Sequence, residues 1–298
     1  MDLSMTLPTM ASGMGRSVLN DWCAAIDEGP YRSLAIGERL AFDNLEMHTT
    51  LSYAAARTER VRLAPTLVIL PMHPVALMAK KLATLDVLSD GRVDLVVGVG
   101  GRDQDYRCAE RSFARRHQTL DDQVAELRRL WSGASPHDDA PAVGPAPLQA
   151  GGPPIYASAM GPKSTARAAV WADGNMGFTL APNTDDHVAG FQSIRDAWSA
   201  AGRSTTPRLS TSFWYSLDPD AGTVLHDYAY RYLKVFGHEG AEMMAGMTTA
   251  AGLDAVAEGL QRLAEAGCDE VYLVPTSTDP AQLAEIATLV DAGAAGRT

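Results

Sequence analysis

The stretch that decides the fold is VRLAPTLVILPMHPVALMAKKLATLDVLSDGRVDLVVGVG, residues 61–100. Two of its apolar runs, 61–70 and 93–99, have the length and the β-branched content of buried strands. Between them, residues 74–88 begin with proline and repeat leucine at helical spacing, until the stop signal Ser-Asp-Gly at 89–91. Because the two strands are joined through a helix, the stretch predicts a parallel βαβ unit.

The same alternation of short strand and helix continues along the chain. Eight strands are predicted, at about 2–7, 33–38, 61–70, 93–99, 154–159, 174–179, 208–217 and 269–275. Eight such units close into a (β/α)8 TIM barrel, whereas the alternative, an open doubly wound sheet, usually has fewer strands. We therefore predict one α/β domain over residues 1–298, with an irregular insertion at 132–153 after strand 4 and extra helices within 218–268 before strand 8.

Composition and charge exclude several classes of function. The net charge of −11, with no run of lysine or arginine, argues against nucleic acid as a partner. No stretch approaches 18 uninterrupted apolar residues, and MDLSMTLPTM at the start has no basic region, so we expect no membrane partner and a cytoplasmic location. The three cysteines include no C-x-x-C pair and the seven histidines no H-x-x-x-H pair, so no metal site is predicted.

A second informative stretch is PIYASAMGPKSTARAAVWADG, residues 154–174, which combines a short strand, a turn and an alanine-rich helix. Gly161 allows close approach of a ligand to the backbone, Pro162 suits the first helical position, and Ser158 and Lys163 add hydrogen-bond donors. Unpaired N–H groups at such a helix start attract anions, so the stretch predicts a phosphate site. Taken alone, it is equally compatible with an ordinary Gly-Pro turn.

Residues 66–106 carry a more specific pattern. LPMHP at 70–74 ends a strand, ATLDVLSDGR at 83–92 closes a helix, and GVG at 98–100 ends the next strand. In this order and spacing the stretch resembles the bacterial luciferase-like superfamily of flavin- and F420-dependent oxidoreductases. The resemblance implies a TIM barrel and a redox cofactor bound at the C-terminal ends of the strands.

The resemblance also implies which residues contact the cofactor. A non-prolyl cis peptide at a bulge in the third strand lies behind the cofactor ring in this superfamily. The loop after the fourth strand approaches the cofactor side chain and phosphate, and the Gly-Pro turn completes the phosphate site. The cofactor-binding residues expected here are Thr66, Leu67, Val68, Gly100, Gly101, Arg102, Ser158, Met160, Gly161, Pro162 and Lys163.

Three residues are candidates for catalysis. Strand alternation puts Ala35, Gly37 and Arg39 on one face, and the small residues predict that this face points into the barrel. Many relatives have histidine where this chain has Arg39, and an arginine cannot act as a general base but can hold an anion or polarise a carbonyl. Glu38 is the candidate proton donor, and His73 is expected near the cofactor ring.

The predicted function is hydride transfer between coenzyme F420 and a small organic substrate, because AMGPK at 159–163 resembles the phosphate turn of F420-dependent relatives. An FMN-dependent monooxygenase that uses reduced flavin and oxygen is the first alternative. The second is a flavin- or deazaflavin-binding protein without turnover, since the histidine is missing at position 39. The superfamily further implies a homodimer, to which Leu51, Tyr53 and Leu77 are candidates to contribute.

Overall fold

The computed structural model describes residues 1–291. The strands are β1 (Asp2–Thr6), β2 (Ser33–Ile36), β3 (Arg62–Pro65), β4 (Val68–Ile69), β5 (Leu95–Gly98), β6 (Ile155–Ala157), β7 (Gly174–Met176), β8 (Arg208–Tyr215) and β9 (Glu270–Pro275). The helices are α1 (Arg16–Glu28), α2 (Met47–Ala55), α3 (Val75–Leu88), α4 (Asp103–Cys108), α5 (Arg116–Trp131), α6 (Pro162–Trp171), α7 (His187–Ala200), α8 (Ala221–Leu233), α9 (His238–Ala245), α10 (Leu253–Glu265) and α11 (Ala281–Asp291).

All strands are parallel and follow the sheet order β3-β2-β1-β9-β8-β7-β6-β5-β4. The two ends of this order, β3 and β4, are halves of one strand, interrupted at the cis peptide bond between Thr66 and Leu67. β3 pairs with β2, β4 pairs with β5, and a bridge between Leu63 of β3 and Val93, just before β5, closes the ring. The predicted (β/α)8 barrel is therefore confirmed, and the divided third strand explains why nine strands are observed where eight are predicted.

The barrel has two apolar layers. Inside it, Ala35, Ala64 and Val96 pack with Met176 and Tyr272, so mostly small side chains fill the narrow interior. Between the strands and the surrounding helices, a much larger core includes side chains from every side of the barrel. Its helices contribute residues three and four positions apart, as expected for amphipathic helices that cover a sheet. In α10 these are Val256, Leu260 and Leu263.

Charged side chains cluster where the strands begin. The buried carboxylate of Glu270 contacts Arg32 at 3.2 Å and Arg208 at 3.0 Å. Arg32 also contacts Asp94 at 3.0 Å, and Arg62 contacts Asp94 at 2.6 Å. In these ion pairs the charges of the carboxylates and arginines compensate one another at the end of the barrel where the strands begin. In TIM barrels, residues at this end contribute to stability. In TIM barrels the functional site lies at the opposite end, where the strands finish.

Two segments lie outside the repeating strand–helix units. Residues 132–154 contain neither helix nor strand, and α8, α9 and α10 lie between β8 and β9. Within residues 1–291, none of the helices has the length and apolar character needed to span a membrane. Of the residues proposed for a dimer face, Leu51 is fully buried in the core, so it cannot contact a second copy, whereas half of Leu77 is exposed.

Candidate active site

Two adjoining cavities open where the strands finish. Cavity 1, of about 280 Å3, is bounded by the ends of β1, β2 and β8 and by α8. Cavity 2, of about 390 Å3, is bounded by the end of β5 and by the start of α6. Four residues line both cavities and mark their junction: Leu67, Ser158, Met160 and Tyr232. The cavities therefore form one continuous site at the catalytic end of the barrel.

Two glycines make room for the side chains of Leu67 and Ile69 near this junction. A Cβ on Gly98 would lie 3.1 Å from Leu67 Cδ1 and 3.3 Å from the Ser158 Cβ, so a larger residue would displace one of them. Gly100 has a φ of +60°, and a Cβ there would lie 3.0 Å from Ile69 Cδ1. Gly100 and Gly101 line cavity 2, whereas Leu67 faces both cavities and Val68 is fully buried in the core.

Glu38 and His73 are brought together beside cavity 1. Glu38 follows β2 and lines the cavity. Its Oε1 is 2.6 Å from Nε2 of His73, and its Oε2 accepts a 2.6 Å hydrogen bond from the backbone N–H of Ile69. The backbone carbonyl of His73 accepts a 2.8 Å hydrogen bond from Gln123 Nε2, which fixes the position of the histidine. His73 itself lines neither cavity.

A second histidine, His48, lies next to this pair and was not among the residues expected at the site. Its ring is edge-on to that of His73, with 6.2 Å between the ring centres. Burial, together with the nearby Lys81, lowers the pKa of His48 to about 4, so the imidazole is neutral at neutral pH. The carboxylate of Glu46 accepts hydrogen bonds from the backbone N–H groups of His48 and Thr49, which holds the start of α2 and therefore His48 in place.

Arg39 does not point into cavity 1 as strand alternation predicts. β2 ends at Ile36, so the alternation does not extend to residue 39. The guanidinium lies 4.7 Å from the ring centre of Phe42 and 4.1 Å from that of Tyr232, and its Nε is 4.0 Å from Asp105 Oδ2. Only 2% of the Arg39 side chain is exposed, and it lines neither cavity. Arg39 thus supports the wall residue Tyr232 from behind.

Arg102 also lies outside both cavities. Its Nη1 donates a 3.3 Å hydrogen bond to the carbonyl of Tyr232, and its Nε is 3.6 Å from Asp105. Burial and the neighbouring Arg39 lower the pKa of the Arg102 guanidinium. The side chain faces a separate, more open groove that includes Arg231 and Lys234.

The start of α6 borders cavity 2. The Ser164 hydroxyl accepts a 3.1 Å hydrogen bond from the N–H of Gly161 and donates one of 2.8 Å to its carbonyl. Gly161 and Ser164 line the cavity, whereas Pro162 and Lys163 are exposed and line neither cavity. Arg167, one turn further along α6, also lines cavity 2 and forms an ion pair with Asp121. Sequence reasoning missed this arginine.

Neither a metal centre nor an activated buried thiol is found in the part of the chain that the structure describes. Among residues 1–291, no group of three or more His, Cys, Asp or Glu side chains is arranged to hold a metal ion. Burial raises the pKa of both Cys23 and Cys268 to about 12, which disfavours their reactive thiolate forms. The site chemistry available from the chain therefore comes from the Glu38–His73 pair beside cavity 1, from His117, Asp121 and Arg167 at cavity 2, and from backbone N–H groups.

Comparison with known proteins gives the same architecture. Over 173 residues the chain is 32% identical to an uncharacterized protein of Mycobacterium tuberculosis, which covers 55% of this chain and 60% of that protein. The chain thus aligns with little more than half of this relative. The crystal structure of monooxygenase RslO1 from Streptomyces bottropensis superimposes with a TM-score of 0.77 and 22% identity, covering 97% of both chains.

A second solved structure, an F420-dependent secondary alcohol dehydrogenase in complex with an F420-acetone adduct, has a TM-score of 0.75 and 20% identity. It covers 98% of this chain and 99% of the other. At these identities the structural similarities establish the fold alone. The family model described as luciferase-like monooxygenase matches residues 9–294, nearly the whole sequence. The chain therefore belongs to the luciferase-like monooxygenase family.

Proposed function

We propose that this chain uses coenzyme F420 for hydride transfer to or from a small organic substrate. The observation that carries the proposal is the Glu38 carboxyl, which lines cavity 1 and is held at 2.6 Å by His73. Reduction of a carbonyl requires a proton in addition to a hydride, and oxidation of an alcohol requires a base. Among residues 1–291, Glu38 is the only carboxyl that lines this cavity.

The residues around the junction fit a ring-and-phosphate cofactor. The first N–H groups of α6 have no acceptor within their own helix and lie beside Gly161 and Ser164 at cavity 2, where a phosphate would be bound. Gly100 and Gly101 leave space along the path from there to Leu67. When bound, F420 would supply the hydride at its deazaflavin ring. The sequence of the turn, AMGPK, favours F420 over FMN.

The chain supplies binding, water exclusion and proton transfer. Leu67 would support the ring from behind, and the turn at Gly161 would hold the phosphate. Trp214 and Tyr228 form an apolar wall of cavity 1 that keeps bulk water away. Glu38 would hold the proton that the substrate oxygen gains or loses.

An FMN-dependent monooxygenase is the second candidate. It is favoured by the similarity to RslO1, which is described as a monooxygenase, and the same turn and glycines would hold the phosphate of FMN.

With either cofactor, we propose that the chain forms a homodimer in the cytoplasm. Light scattering on the purified chain would report a single-chain mass if the dimer is wrong.

The deciding experiment is titration of the purified chain with F420 and FMN separately. We expect micromolar or tighter binding of F420 and at least tenfold weaker binding of FMN. The reverse order would replace the proposal with the monooxygenase, and binding of neither would reject both. Retained cofactor without oxidation of its reduced form over a broad substrate panel would identify a binding protein without turnover.

A matched pair of variants tests the location of the phosphate. Gly101→Glu adds a negative charge to cavity 2, where a Cβ would meet only Phe236 at an ordinary 3.6 Å. Gly190→Glu makes the same change on α7, where nothing lies within 4 Å. We expect at least tenfold weaker cofactor binding for Gly101→Glu alone, because like charges repel in a partly enclosed site.

A further inference from the structure

The side chains that line cavity 1 are mostly apolar, and the charged side chain among them is negative. Much of its wall is apolar and includes Leu7, Phe178, Trp214 and Val274. In the described part of the chain, no lysine, arginine or histidine lines this cavity, and the single carboxyl that does so is Glu38. An anionic substrate would lose its hydration here without gaining a counter-ion, and it would lie near a second negative charge. Burial of an unpaired charge is strongly unfavourable, so the cavity discriminates against anions.

Arg39, a nearby cation on the loop after β2, does not change this conclusion. Its guanidinium is stacked between Phe42 and Tyr232, and only 2% of its side chain is exposed. It also lies 4.0 Å from the buried carboxylate of Asp105. To reach a ligand in cavity 1, the arginine would have to leave both aromatic rings and its counter-ion.

Thr6 provides the specific polar feature of the cavity. It is the last residue of β1 and lines cavity 1, and the residue is only 7% exposed. Its Oγ1 is buried and has no hydrogen-bond partner within residues 1–291. By contrast, the hydroxyl of Ser212 in the same cavity donates to the carbonyl of Gly177 at 3.3 Å. A buried hydroxyl without a partner is costly, and an oxygen of a ligand would complete it.

We propose that cavity 1 takes a small, neutral, mostly apolar molecule that carries one carbonyl or alcohol oxygen, and that the Thr6 hydroxyl is a hydrogen-bond partner of this oxygen. The binding preference is inferred from the residues that line cavity 1, whereas the redox step rests on the proposed function. In reduction, bound F420 would supply the hydride that the carbonyl carbon gains as the C=O π bond opens, and Glu38 would supply the proton that the oxygen takes. A ketone would thus become a secondary alcohol while the reduced cofactor is oxidised.

Two probes with the same six-membered ring test the charge preference: cyclohexanone and cyclohexanecarboxylate. Their binding is measured by calorimetry, with the chain alone and with whichever cofactor it retains. We expect cyclohexanone to bind at least tenfold more tightly than the carboxylate in both forms. Equal or tighter binding of the carboxylate, or no binding of cyclohexanone, would overturn the proposal.

Threonine variants test the contact. Thr6→Val replaces the hydroxyl by a methyl group of similar size, and we expect about fivefold weaker cyclohexanone binding, the usual effect of one hydrogen bond. Thr276→Val is the matched control, because Thr276 has the same buried, unpartnered hydroxyl but does not line the cavity. Thr6→Ser keeps the hydroxyl and should bind like the wild type, which keeps the test valid if Thr6→Val fails to fold.

The outcomes separate the two proposals. Cyclohexanone preference that depends on Thr6, in a chain that binds neither F420 nor FMN, would reject the proposed function and support the substrate class. Cofactor binding together with unchanged cyclohexanone affinity in a folded Thr6→Val variant would overturn the inference alone.

Discussion

Oε1 of Glu38 and Nε2 of His73 lie 2.6 Å apart although 35 positions separate the two residues in the chain. The pair joins the end of β2 to the turn before α3, and the backbone N–H of Ile69 holds the other carboxylate oxygen. Exposure is 10% for the Glu38 side chain and 23% for that of His73, so the carboxyl is the more enclosed partner. This contact joins Glu38, the one carboxyl that lines cavity 1 within residues 1–291, to a histidine that lies outside the cavity.

Glu38→Gln should abolish most turnover without loss of cofactor. The amide keeps the shape of the side chain but cannot deliver a proton, so kcat should fall about 100-fold, the usual effect of removing a general acid. Stopped-flow oxidation of the reduced cofactor by a small ketone measures kcat, and equilibrium titration measures cofactor affinity. Glu242→Gln alters a Glu–His pair with His226 on the surface and should leave both values unchanged. Wild-type kcat in Glu38→Gln would exclude it as the acid.

Arg39→Met should lower the free energy of unfolding by about 3 kcal/mol, because it leaves the buried carboxylate of Asp105 with less compensation. Urea unfolding measures the change. The double variant Arg39→Met with Asp105→Asn should recover part of the loss, since the unpaired charge is then removed as well. If the two single changes simply add, the ion pair does not contribute to stability.

Replacing glycine by alanine should change the free energy of unfolding in opposite directions at two positions of the barrel. In Gly174→Ala, on β7, the new Cβ would lie 2.2 Å from the carbonyl oxygen of Arg208, so we expect destabilisation of about 3 kcal/mol or more. In Gly190→Ala, on α7, nothing lies within 4 Å, and the higher helix propensity should stabilise by about 0.5 kcal/mol. Urea unfolding of both variants measures the difference. Equal effects would contradict the close approach of β7 and β8.

His48 should make the stability of the protein depend on pH below neutrality. Its pKa is about 4 when folded against a reference value of 6.5, so the unfolded chain binds the proton first as the pH falls. The stabilisation is therefore complete above pH 6.5 and is lost as the pH falls towards 4, a total of roughly 3 kcal/mol.

Urea unfolding of the wild type and His48→Gln, at about pH 7.5 and about pH 4.5, measures this contribution. The wild type should lose about 2 kcal/mol more than the variant between the two conditions. His226→Gln, at a partly exposed histidine on α8, should retain the wild-type dependence. An identical loss in wild type and His48→Gln would show that the buried imidazole does not titrate as described.

The predicted site residues divide by the kind of sequence signal that indicated them. Glycines from motifs with special backbone requirements, Gly100, Gly101 and Gly161, do line the cavities, whereas Pro162 and Lys163 of the same Gly-Pro turn do not. Side chains assigned by extending a simple alternation or by charge alone, such as Arg39, do not. A glycine position reports a local backbone geometry, whereas the direction of a long side chain depends on neighbours that are remote in sequence.

The sequence by itself determined the barrel, because strand and helix periodicities and the stop signals between them are local properties that leave few ways to bury the apolar faces. It also determined which strand ends carry the glycine-rich turns. Only the tertiary structure decided that Arg39 is withdrawn behind Tyr232, that His73 holds Glu38, and that Thr6 lines cavity 1 with a buried hydroxyl that has no partner within residues 1–291. These contacts join residues from different strands and helices, and their geometry is set by packing around the closed barrel, which no local pattern encodes.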